Sequence, residues 1–382
     1  MRAGSDVGCR SAGANLFKVF LVVPSLLLIG SSGAALADAK QDCYKLSSDA
    51  AIRACDQAID QNPRDAGAYV NRAYNYFNDG DFDHAIADLD KSIVINPKNA
   101  VAYDNRGDVF QAKGDLDHAI ADYTKAIEID AKYAPAYNNR GVVFQAKGDL
   151  DRATADFDEA IEIDPKYAKA YSDRGLAYQT KRDLDRAFAD YSKAIDIDPK
   201  YALAYVGRGF IVRVRGDLDS AIADYTKAIE IDPKHALTYV RRAEGYRDKS
   251  DVDRAFADYA KAIEVDPKFA AAYNSRCRLR ATANRDLLLA LSDCDDAVRL
   301  APNNANMIGS RGFVYLRLGR IDEAIADYDA ALKINPKLAL SLYGRGLAKQ
   351  KTGDQAGGDA DIAAAKAIKP TIADEFAKYG MN

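Results

Sequence analysis

The 382-residue chain contains no tryptophan, and only three histidines, three methionines and five cysteines. The scarcity of histidine is the most restrictive of these. His84 and His118 occupy equivalent places after turn aspartates and His235 stands alone, so none has metal-ligand spacing or a paired nucleophile. No glycine-rich loop follows a plausible strand, which removes the usual phosphate cradle. The sequence therefore predicts no metal, no cofactor, no catalytic residues and no enzyme activity. The apolar run Val19–Gly30 covers 12 residues and includes Pro24, too short to span a bilayer comfortably. Basic residues do not dominate either: 53 Lys and Arg against 57 Asp and Glu leave a net charge of −4, a poor ligand for nucleic acid.

What precedes residue 38 reads as an export signal. Arg2, Arg10 and Lys18 lead into the short apolar run, and Ala35-Leu36-Ala37 offers small residues where signal peptidases cut. Residues 1–37 are expected to be removed, leaving a chain that starts at Asp38, is not stably inserted in a membrane, and is periplasmic or secreted. Ala39-Lys40-Gln41-Asp42 lacks the pattern that precedes a lipidated Cys43. Cys9 leaves with the signal. The remaining Cys43, Cys55, Cys277 and Cys294 are an even set in an oxidising compartment, which predicts two disulfides.

From about Ala66 onward one 34-residue text recurs, seen clearly in residues 168–201. Tyr171, Gly175 and Tyr178 share one face of a first helix; Leu184, Ala187, Phe188, Tyr191, Ala194 and Ile195 share one face of a second; Pro199 closes the pair. Such a hairpin must stack on copies of itself to bury its apolar face. In register, the copies align a large column (Tyr69 to Leu342), a small column (Ala73, Gly107, Gly141, Gly175, Gly209, Ala243, Cys277, Gly312, Gly346), an alanine column, an aromatic column and a proline column broken only by Ala131. Between the two helices lies a Gly-Asp-apolar-Asp turn, as in Gly114–Asp117, whose glycine ends one helix and whose aspartates cap the next. It lacks the 12-residue order of a calcium loop.

These columns resemble the tetratricopeptide repeat family, in an exported bacterial form, with Tyr in place of Trp and Arg where an apolar residue usually precedes the glycine. The resemblance implies an all-α, right-handed superhelical solenoid. Residues 38–65 would form an N-terminal capping half-repeat, 66–372 nine repeats and 373–382 a C-terminal capping helix. In the repeat at 270–304, Cys277 takes the small column and Cys294 the aromatic one, nearly opposite in an antiparallel hairpin, so these two are expected to pair, and Cys43 with Cys55.

Two full columns of charge run through all nine repeats: Arg72 to Arg345 in the first helix and Asp88 to Asp361 in the second. They are expected to form a structural ion-pair ladder, in which Arg174→Leu should be milder than Asp190→Leu. The ligand-facing strip is expected two residues before, one after and four after the small column. Early repeats place amides there (Asn71, Asn105, Asn139, Gln111, Gln145, Gln179), resembling the asparagine ladders with which some family members hold peptide backbones. Later repeats offer Val206, Phe210, Arg213, Val240, Arg241, Arg247 and Arg278. The family implies that first helices line a concave groove. The expected function is a non-catalytic exported scaffold or adaptor that binds peptides or partner proteins there. A cell-envelope glycan-binding module, for which exposed tyrosines would serve, and an envelope-associated hydrolase are the alternatives.

Overall fold

The computed structural model describes residues 42–43 and 49–381, so the expected signal, residues 1–37, lies outside the described residues. Twenty helices and no strands are present among them. After α1 (Asp49–Gln61), nine pairs follow: α2 (Ala66–Asn78) and α3 (Phe82–Ile95), α4 (Ala100–Lys113) and α5 (Leu116–Ile129), α6 (Ala134–Ala146) and α7 (Leu150–Ile163), α8 (Ala168–Thr180) and α9 (Leu184–Ile197), α10 (Ala202–Val214) and α11 (Leu218–Ile231), α12 (Ala236–Asp248) and α13 (Val252–Val265), α14 (Ala270–Thr282) and α15 (Leu287–Leu300), α16 (Ala305–Arg317) and α17 (Ile321–Ile334), α18 (Ala339–Lys351) and α19 (Gln355–Ile368). The short α20 (Ile372–Ala377) closes the chain. Two compact units divide at Val143 and Phe144.

In the first unit α1 to α5 each pack on the next in sequence, and in the second α7 to α20 do so, the arrangement of a helical solenoid. In the second unit first helices also touch the next first helix, α8 with α10 and so on to α16 with α18, whereas no second helix touches another second helix among the described pairs. The first helices therefore form the inner rank of the stack. In the first unit α2 and α4 meet in the same way.

Aromatic-column rings meeting glycines two residues before the small column explain this close approach at two of the steps. A Cβ on Gly207 would lie 2.3 Å from the Tyr191 ring, and one on Gly344 2.3 Å from the Tyr328 hydroxyl, so each ring is wedged against the glycine of the following first helix. Tyr123, Tyr225, Tyr259, Tyr328 and Phe157 are fully buried. The disulfides Cys43–Cys55 and Cys277–Cys294 are both formed, with Cα atoms 4.6 and 5.4 Å apart.

The turn aspartates cap the second helices, as in Asp183, whose carboxylate accepts from the Arg186 backbone N–H at 3.1 Å and from its Nε at 2.6 Å. Those two bonds lower the Asp183 pKa, and Asp81, Asp115, Asp149, Asp217 and Asp251 are lowered by the equivalent contacts. His84 and His118 extend these caps, each Nδ1 bonding to its cap carboxylate. Because the folded pKa values lie below the unfolded ones, this stabilisation is complete above the unfolded aspartate pKa near ~4 and is lost as pH falls through the depressed values. The urea midpoint should therefore stay level from about pH 7 to 5 and drop below about pH 4, with a shallower acid limb in Asp183→Asn. A main loss between about pH 7 and 5 would instead implicate the half-buried His235, whose pKa burial lowers below the usual imidazole value.

Candidate functional site

Eight pairs of the Arg and Asp columns are bidentate, from Arg72 with Asp88 (2.7 and 2.6 Å) to Arg345 with Asp361 (2.7 and 2.6 Å). The aspartates are buried, Asp190 with 6% of its surface exposed. The seven arginines from Arg72 to Arg276 also lie near the tyrosine three residues before them, as Arg174 does over Tyr171 at 5.6 Å. Several reach a third group that the sequence reading passed over, in the second helix of the preceding pair. Arg174 Nη1 donates to Asp158 at 2.6 Å, Arg345 to Asp329 at 2.7 Å, and Arg242 to the Thr226 hydroxyl at 3.1 Å. The arginine thus ties three helices together, and the ladder is structural.

On the inner strip of the first unit, Asn105 is buried with an unpartnered Nδ2, and the half-buried Asn71 has one too. Asn139 Nδ2 donates to Asp104 at 3.0 Å. The Tyr123 hydroxyl donates to Asp108 at 2.7 Å and lies 2.9 Å from the Gln111 amide oxygen. Two buried carboxylates, Asp104 and Asp108, thus join the amides. Both could have been noticed: Asp108 stands one residue after the small column and Asp104 four before Asp108, about one helical turn back.

In the second unit Gln145 is half-buried, and Gln179 accepts from the Tyr191 hydroxyl at 3.1 Å. Val206 and Phe210 are partly buried against the core and Val240 is fully buried, only 4% exposed. Arg213 bridges to Glu244 (3.1 Å) and Asp248 (2.7 Å) in the next first helix, and its Nε is buried without a partner. Arg241 reaches the same Glu244 at 3.2 Å and lies over Phe210 at 5.8 Å. The structure therefore brings together Phe210, Arg213, Arg241, Glu244 and Asp248 in one internally neutralised cluster. Glu244 occupies the strip register one after the small column, so the periodicity that picked out the arginines also pointed to it.

Two strip cations remain exposed. Among the described residues the ion-pair partner of Arg247 is its neighbour Asp248, at 2.9 Å. Arg278 makes no ion pair among the described residues; its side chain keeps contact with solvent, but the density of protein around it lowers its pKa, with Arg247 adding to the effect and Tyr379 and Glu375 opposing it. Phe313, in the strip register of α16, also belongs to this face and was overlooked in the sequence reading.

Tetratricopeptide repeat profiles match residues 46–100, 134–167, 168–201 and 215–235, and a TPR repeat profile matches 107–148 and 312–353. The chain is built of tetratricopeptide repeats. Among solved structures it is similar to a tetratricopeptide repeat protein from Parabacteroides merdae, at 20% identity over 74% of this chain and 98% of that one, with a TM-score of 0.46. It is similar also to pilF of Pseudomonas aeruginosa (19% identity, 54% and 95% covered, TM-score 0.48) and to YrrB, described as a TPR protein with an unusual peptide-binding site (24%, 48% and 95%, TM-score 0.38). No curated protein matches the chain significantly.

Proposed function

We propose that the protein is an exported, non-catalytic scaffold that holds peptides or partner proteins against the inner rank of first helices. In this reading residues 1–37 are a signal peptide, 38–65 cap the first repeat, 66–372 are the nine repeats and 373–382 cap the last. Two formed disulfides support an oxidising compartment, and no described helix is long and apolar enough to cross a membrane. The observation that carries the binding assignment is the pair of exposed strip arginines, Arg247, whose ion-pair partner is its own chain neighbour Asp248, and Arg278, which has no ion pair among the described residues. A guanidinium so placed selects a carboxylate and sets register, while apolar groups supply most of the affinity.

The mature chain, immobilised and exposed to an envelope fraction, should retain a partner whose binding weakens as salt is raised, since rim charges are screened. Arg247→Glu with Arg278→Glu should weaken retention about tenfold or more, equivalent to at least ~1.4 kcal/mol. Arg213 is unsuitable for this test because it is committed to Glu244 and Asp248. Lys227→Glu, on the second helix α11, is the control. Equal loss in both would mean that only net charge matters; no loss in either would remove the inner face from the reading.

A further inference from the structure

The last ten residues do more than close the final repeat. Ile372 and Phe376 are completely buried, in a cluster with Leu342, Tyr343 and Leu347 of α18. Phe376 lies within α20 and Tyr379 just after its end, before the turn at Gly380, and both rings face back towards α16. Phe376 and Tyr379 each meet Phe313 of α16 edge to face, at 5.8 and 5.7 Å, and Phe376 lies 4.6 Å from Tyr343. Phe313 is one first helix further back than a cap on the last repeat requires, and Tyr379 and Glu375 extend into the electrostatic surroundings of Arg278, a further repeat back.

This occupant satisfies the apolar half of the site and leaves the charged half unmet. The Glu375 carboxylate is held by Lys369, at the end of α19, and makes no ion pair with Arg278. Arg278 is exposed on α14, and its nearest strip cation, Arg247, repels it. An unpaired guanidinium beside a ring-lined apolar seat is complementary to a segment bearing both an aromatic anchor and a carboxylate long enough to reach it.

Building on the scaffold reading, we propose that the inner face of α14, α16 and α18 is a docking site for a partner segment in which a carboxylate adjoins an aromatic residue and a second anion follows about one helical turn later, and that residues 372–381 of the chain occupy this site until such a partner displaces them. The bound tail shows the chemistry of the partner in Glu375-Phe376 and lacks only the second anion, where it carries Tyr379. The tether gives the tail a high effective concentration, so a partner must bind better to win, and the contact to Arg278 is where it can do so.

The test uses the full mature chain and two labelled synthetic peptides, residues 370–382 as they stand and the same peptide with Tyr379→Glu. Phe376→Ala in the protein weakens the resident tail and should raise the affinity for both peptides at least tenfold over the parent. The Glu-bearing peptide should bind more tightly than the other, and that advantage should vanish when Arg278→Gln is combined with Phe376→Ala. Adding Phe313→Ala should abolish binding of both. In the parent, excess Glu-bearing peptide should speed amide hydrogen exchange in residues 372–381 and leave the remaining repeats unchanged. This second measurement stands even where Phe376→Ala folds poorly. If the helical Phe376→Ala protein binds the peptides no better than the parent, or if the tail exchanges only with global unfolding whether or not peptide is present, the segment is a fixed cap and the proposal fails. Retention of an envelope partner through Arg247 alongside such a failure would leave the scaffold reading intact. Peptide binding with no envelope partner retained would count against that wider reading alone.

Discussion

Arg174→Leu should cost about 3–5 kcal/mol, and Asp190→Leu only about 1–2 kcal/mol. This reverses the order expected from the sequence, where the family resemblance favoured an apolar residue at position 174. The reason is an asymmetry visible only in three dimensions. Asp190 has 8% of its side chain exposed and its ion-pair partner is Arg174, so losing the arginine strands a carboxylate away from water. Arg174 is 19% exposed, keeps its bond to Asp158 at 2.6 Å, and lies over the rings of Tyr171 and Tyr178, so losing the aspartate leaves it partly satisfied. Burial already pushes the Asp190 carboxyl above its ordinary value, against the opposing pull of Arg174. Without that pull its folded pKa rises further above the unfolded one, so the neutral form is stabilising below the unfolded pKa and that contribution is lost as pH rises through the folded value. The deficit of Arg174→Leu in urea should accordingly shrink as the pH is lowered from about 7 towards 4, while that of Asp190→Leu should not. Equal stability of both variants and the parent would mean that the ladder is solvated.

The repeat was legible because every copy states it again. Nine matching positions in the Arg and Asp columns made the pairing readable before any coordinates, since a complete column in otherwise varied repeats must meet its partner each time. The third group escaped notice because its column is incomplete: Asp56, Asp90, Asp158, Asp295 and Asp329 alternate with Thr124, Ser192, Thr226 and Ala260. Both threonines still accept from the arginine, so the column varies in residue type while keeping an oxygen in those repeats. The strip register was likewise readable, but pairing within it was not. Whether Arg213 turns to a ligand or to Glu244 and Asp248 depends on side-chain direction between neighbouring helices, which periodicity does not encode. The tail was harder still. Phe376 falls in the tyrosine register of a further first helix, yet the helix ends after six residues and the chain turns back towards Phe313.

Removing the Cys277–Cys294 bridge should lower stability by about 3 kcal/mol, the chain-entropy value for a closed loop of this size; the two cysteines are 17 residues apart. The repeat that carries the bridge is the one least able to do without it. Its neighbours fill the same space with a glycine and a tyrosine ring, as where a Cβ on Gly209 would come within 2.8 Å of Tyr225. Here both positions are fully buried sulfur, packed with Ala281, Ala290 and Val314. Arg280 replaces the usual aromatic residue, donating to Asp293 at 3.0 Å and lying over Phe256 at 5.3 Å. The turn that follows holds Asn284 and Asp286 at φ values of 53° and 44°, a left-handed conformation that costs a non-glycine residue roughly 1–2 kcal/mol. Cys277→Ala with Cys294→Ala should therefore unfold at clearly lower urea than the oxidised parent. Cys277→Gly with Cys294→Tyr restores the neighbours' packing without the cross-link and should recover part of the loss, the remainder measuring the bridge itself. Both sulfurs are inaccessible in the native protein, so reductant should open the bridge only in denaturant, adding two hydrogens per bridge to the intact mass. Four thiols that titrate without denaturant in protein taken from the envelope would contradict both the bridges and the oxidising compartment inferred from them.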